Sequence, residues 1–95
     1  MNIVWTLEAK RDRAEVFEYL ALGDAQAAGR VDDLIGAAVS RLAYKPLIGR
    51  PGRVPGTREL VAHEHHRVVY ETRGEEVRIL AVAHVTRQWP PVRGG

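Results

Sequence analysis

Four histidines and a run of arginines hold most of the reactive chemistry in this chain. His63, His65, His66 and His84 all lie in its second half, together with eight arginines and no lysine from residue 48 onward. Histidine titrates near neutral pH and can give or take a proton. A guanidinium grips phosphate or carboxylate with two parallel bonds. An arginine and a histidine on one sheet face would equip the chain to cut RNA, by attack of the 2′-hydroxyl on the adjacent phosphate. The plainer reading of each histidine is a solvated or cross-strand-paired strand residue.

Which side chains meet depends on a hairpin. The runs His65–Thr72 and Glu76–His84 read as strands, and Arg73-Gly74 reads as a two-residue turn between them. That turn sets Arg67 opposite Leu80, His65 opposite Val82 and His63 opposite His84. His63, His65, Arg67, Val82 and His84 then share one face, and Val68, Tyr70, Val77, Ile79, Ala81 and Ala83 share the other. The same register sets Glu71 against Glu76, and a turn one residue longer would move His84 away from Arg67.

Other chemistries drop out. With no cysteine there is no disulfide, thiolate ligand or thiol nucleophile. Ser40 is the only serine and sits in a helical stretch, so no nucleophile elbow is present. Gly49, Gly52 and Gly56 do not form a phosphate loop. His63, His65 and His66 lack a fourth ligand at zinc spacing, so no metal and no cofactor is expected. Charge is lopsided: residues 1–47 carry a net −1 and residues 48–95 a net +3. The basic half suits an acidic partner.

The elements that position these groups follow from periodicity. Ninety-five residues make a single domain spanning 1–95. Asn2–Trp5 reads as a strand. Thr6 caps a helix over Leu7–Leu22, with Ala14, Phe17 and Ala21 on its apolar stripe and Val16 and Leu20 beside them. Gly23-Asp24 breaks the pattern and caps a second helix over Ala25–Ala43. Ala28, Val31, Ile35, Ala38 and Leu42 form its stripe, widened by Leu34 and Val39. Pro46–Pro55 is loop, Thr57–Ala62 the next strand, and 90–95 an irregular tail. The fold class is α+β in the order β-α-α-β-β-β. A helical hairpin covers one face of a small, mostly antiparallel four-stranded sheet, and the other face is left at least partly open. No apolar run approaches the roughly 20 residues of a membrane span, and no signal peptide is visible. A cytosolic protein with no membrane partner is expected.

That order carries a family likeness. Gly49-Arg50, Gly56-Thr57-Arg58-Glu59-Leu60, Arg67-Val68-Val69-Tyr70 and Val82-Ala83-His84 followed by Arg87 and Trp89-Pro90 resemble the RelE/ParE superfamily of type II toxin–antitoxin toxins, over about the whole chain. The resemblance implies a cytoplasmic toxin held by a cognate antitoxin protein. It leaves two targets open. ParE-like members poison DNA gyrase without catalysis, and RelE-like members cut mRNA in the ribosomal A site. Gly56–Leu60 and His84–Pro90 look more like the ParE branch. For gyrase and antitoxin, the expected contact residues are Arg50, Arg53, Arg58, Arg78 and Trp89, with the segment His84–Val92 and the arginine-rich loop as the surface. For a nuclease they are Arg67, His84 and Arg87, with His65 as alternative base. The C-terminal Tyr and the Lys pair of RelE-like nucleases are absent. Arg67 has a further reading as a structural arginine, paired with a Glu or with the antitoxin.

Overall fold

A computed structural model describes residues 1–91. The expected tail is seen only to Pro91, and Val92 of the expected contact segment lies outside the described residues. Strand β1 (Asn2–Trp5) leads into helix α1 (Leu7–Gly23) and helix α2 (Ala25–Leu42). Strands β2 (Arg50–Pro51), β3 (Thr57–His63), β4 (His66–Arg73) and β5 (Glu76–His84) follow.

Local chemistry sets the helix ends as expected. The Thr6 hydroxyl accepts from the Ala9 amide and donates to the Ile79 carbonyl at 2.8 Å, so the N-cap of α1 is also its tie to β5. Asp24 serves both helices. Its amide donates to the Leu20 carbonyl and closes α1, and its carboxylate accepts from Gln26 and Ala27 and opens α2.

The sheet has five strands in the order β1-β5-β4-β3-β2, with β1 parallel to β5 and the other pairs antiparallel. The added strand comes from the loop. Pro51 has no amide to donate, and the outermost strand is where that costs least.

The central hairpin differs from the expected register. Its turn is Gly74-Glu75, with Gly74 at φ +59, and Arg73 pairs with Glu76. Glu71 therefore faces Arg78, which replaces a like-charge pair by an opposite one. Leu80 is then an extra residue: Tyr70 pairs with Ile79, but Val69 pairs with Ala81. Beyond this bulge Arg67 faces Ala83 and His66 faces His84. Pairing by one residue more exchanges the two faces. Val82 turns inward beside Val68, Tyr70, Val77 and Ile79. Arg67, Val69, Ala81 and Ala83 turn away from the helices. The expectation that Arg67 and His84 share a face is overturned.

Helix α2 packs as its periodicity predicts, with Ala28, Ile35, Ala38, Val39 and Leu42 buried and Val31 packed against them. Leu34 instead stays exposed. Helix α1 is rotated from the expected stripe. Ala9 and Val16 face the core and Leu20 is half-buried beside them, whereas Ala14 and Phe17 point outward, Phe17 at 42% exposure. Apolar residues lie on every side of α1, so periodicity names no unique face there; the Thr6 anchor and the buried Ala9 set the phase.

A polar knot closes the other side of the core. The fully buried Tyr70 hydroxyl donates to the Pro46 carbonyl and accepts from the Gly49 amide at 2.9 Å. A Cβ on Gly49 would lie 2.7 Å from that hydroxyl, so glycine is needed there. Tyr70→Phe leaves both loop groups without a partner. It should cost about 2 kcal/mol, or roughly 10 °C in melting temperature for a domain of this size, and calorimetry reads it.

Candidate functional site

The structure separates the candidate residues into two groups. On the face away from the helices, Glu59 and Arg67 lie nearly buried, with side chains 7% and 11% exposed. Arg67 Nη1 donates to Glu59 Oε1 at 2.8 Å, and Nη2 donates to the backbone carbonyl of Arg87. Its Nε is buried without a partner among the described residues. Arg50 pairs in register with Glu59 and reaches the same Oε1 at 3.6 Å from the solvent side. The guanidinium expected to hold phosphate is thus held by its own chain. A Glu in a strand next to an arginine-rich loop reads as surface, yet Glu59 is buried. It alternates with Thr57 on the sheet face away from the helices, and both are buried there.

The other arginines scatter. Arg58 faces the helix side and gives its Nη1 to the Gly49 carbonyl at 2.8 Å, so it braces the loop. Arg78 lies across from Glu71 and 4.0 Å from Glu76 on the face that bears Arg67. Arg53 projects from the loop and is exposed. Arg50, although paired with Glu59, and Arg53 are the exposed cations among the expected contacts.

The second group gathers where β4 and β5 part. All four histidines form one cluster, with ring centres 4.7 Å apart for His63 and His66, 5.4 Å for His66 and His84, and 5.8 Å for the stacked His65 and His84. Hydrogen bonds set the tautomers of the neutral rings. His63 Nδ1 accepts from the His65 amide, so its proton sits on Nε2 and is donated to His66 Nδ1 at 2.8 Å. His84 Nδ1 accepts from the Thr86 amide and lies 2.7 Å from its hydroxyl. His65 is exposed and 3.4 Å from Glu64. Among the described residues, no group of three or more His, Asp or Glu is arranged to hold a metal ion.

His66 and His84 open into a cleft of about 600 Å³ between α1 and the chain after β5. Asp12, Glu15 and Tyr19 line the α1 wall, and Arg87, Gln88 and Trp89 the other. Asp12 accepts from the Val82 amide at 3.0 Å, closing the edge of β5 where β1 ends. Burial raises the pKa of Asp12. The half-buried Trp89 leans on this cleft and does not enter the core. His84 and Arg87 both line this cleft, which also reaches Ala83, while the side chain of Arg67, opposite Ala83 in the ladder, turns away from the helices to Glu59.

The model of the family described as "ParE toxin of type II toxin-antitoxin system, parDE" matches residues 3–89. The chain belongs to the ParE toxin family. A relative from Sinorhizobium fredii, described as "Putative toxin Y4kP", is 43% identical over 91 residues, which is 96% of this chain and 95% of the relative. Among solved structures, the "Chromosomal ParDE TA system from P. aeruginosa" is similar at a TM-score of 0.78 and 27% identity, over 90% of this chain and 96% of that one. The "YoeB/ParE toxin from Agrobacterium tumefaciens" shares the fold at a TM-score of 0.63 and 22% identity, over 88% and 98% of the two chains. This protein is thus a ParE-like toxin of a type II system, and its family implies a cognate antitoxin as partner. No helix among the described residues is long and apolar enough to cross a membrane.

The histidine cluster gives this ParE toxin a pH-dependent stability. Burial, and then the neighbouring rings, push His66 down to about 4, and burial first lowers His63 as well. Groups depressed in the fold are neutral in both states above 6.5, so their contribution is complete there. Below 6.5 the unfolded chain takes protons that the fold resists, and stability falls until about 4. Asp12 acts in the opposite sense near the bottom of that window. Melting temperature should decline from pH 7 to 4.5, and His66→Gln should flatten that decline.

Proposed function

We propose that this ParE toxin arrests growth by binding DNA gyrase in the cytoplasm, without catalysis of its own, and that its cognate antitoxin neutralises it. One observation carries this reading. The guanidinium that a nuclease would turn on phosphate is bound to Glu59 and to the Arg87 carbonyl, and it faces away from His84. Cutting RNA needs the charge-stabilising arginine and the acid or base at one phosphate. Binding gyrase needs only a presented surface. Trp89 supplies a half-buried indole on a segment at the edge of the fold, and Trp and Arg are the residues on which interfaces most depend. Arg50, Arg53 and Arg78 suit an acidic antitoxin segment, docked as an added strand or as a helix in a groove.

The second reading is a ribosome-dependent mRNA nuclease. It keeps one point in its favour: His84, His66 and Arg87 line a common cleft. In that case Arg87 and His84, with His65 outside, would act without Arg67.

Induction of the toxin without its antitoxin separates the two. The gyrase reading expects broken or relaxed plasmid DNA with intact mRNA. Cleaved mRNA with intact DNA would reject it. Trp89→Ala should weaken gyrase inhibition by about tenfold or more while the melting temperature moves little.

A further inference from the structure

An arginine–glutamate pair buried on a sheet face is an expensive device. Both ions lose water, and two apolar side chains of similar volume usually serve the fold as well or better. The pair has no helix above it to hold in place, since Arg67 points away from α1 and α2. Its one long-range consequence is the second arm. Nη2 reaches a backbone carbonyl 20 residues further along the chain. Among the described residues, that is the hydrogen bond nearest the C-terminus. Before it, the Arg87 amide closes a turn on the His84 carbonyl and the Thr86 amide bonds to His84 Nδ1. After it, the chain carries Trp89 with no further hydrogen bond among the described residues.

We propose that Arg67 is a positioning residue. Clamped by Glu59 on one arm, it holds the Arg87 carbonyl with the other, and so fixes the segment that presents Trp89 to a partner protein. The fork is what makes this work. A guanidinium offers donors in fixed, divergent directions, so anchoring one arm aims the other, whereas an ammonium is a point charge that cannot serve both sites at these positions. Glu59 is the anchor of the anchor, and Arg50 closes its solvent side. The inference deepens the proposed function, because it rests on Trp89 being a contact residue.

Trp89 is also its own reporter. Trp5→Phe leaves it as the sole tryptophan of the full chain. In that background, acrylamide quenching of Trp89 and a thermal melt are measured for Arg67→Lys and for the paired change Arg67→Met with Glu59→Leu. Lysine keeps the charge beside Glu59 and loses the reach to Arg87. The paired change removes both buried charges, so no ion is stranded. Quenching is expected to rise by about twofold in both, with the melt still cooperative. Growth arrest should weaken with antitoxin binding retained, and Lys should not rescue it. Unchanged quenching in the folded variants would overturn the proposal. Unfolding of both variants would overturn it too, because the pair would then serve the fold and not the segment. The optical readout needs no target, so a clamped Trp89 in a toxin that spares gyrase would refute the gyrase reading and leave the clamp standing.

Discussion

One extra residue in β5 decides which side chains of the central hairpin share a face. Leu80 bulges out of the ladder, and every side chain beyond it changes face. Val82 is turned into the core beside Val68, and Ala83 is set opposite Arg67 on the far side. Without the bulge Arg67 and the last histidine would have a common surface. With it they are divided by the sheet. His84 and the chain that follows it take their faces from this offset, while the helical hairpin is tied to β5 before it, through Thr6 at Ile79.

The division has an energetic counterpart. On one face a buried cation is satisfied internally by Glu59, and removing one partner of such a pair costs about 3–5 kcal/mol, a large part of the roughly 5–15 kcal/mol that holds a domain together. An arginine bound that firmly is a poor candidate to swing onto a substrate. On the other face, His63 and His66 share a hydrogen bond, and burial makes both accept charge reluctantly. Arg67 is thus tied at both ends to its own chain. What the chain offers outward is peripheral: Arg50, Arg53 and the half-buried Trp89.

Much of this was legible in the residues. The Thr6 and Asp24 caps, the α2 stripe from Ala28 to Leu42 and the element order follow from local rules, because caps and a 3.6-residue period act within one element. The family likeness pointed to the same architecture. Two things escaped. The phase of α1 was hidden because Leu7, Phe17, Tyr19 and Leu22 are exposed on a helix whose inner face includes Asp12 and Arg13. The hairpin register was hidden because a two-residue turn at Arg73-Gly74 and one at Gly74-Glu75 are equally plausible locally, and a bulge leaves no mark in a run as uniform as Arg78–Ala83. The unfavourable Glu71–Glu76 pairing was the signal against the first choice. The site fell with the register: Arg67 and His84 were each worth naming, but their relation is a property of pairing and not of spacing.

Arg67 is consumed within the chain, and the side-chain nitrogen spectrum of the unmodified protein tests that directly. The account predicts resolved, slowly rotating Nη resonances for Arg67, a protected Nε proton, and no response to added RNA oligonucleotide. A single averaged Nη signal like that of a solvent-exposed arginine, shifting as RNA is titrated in, would contradict it.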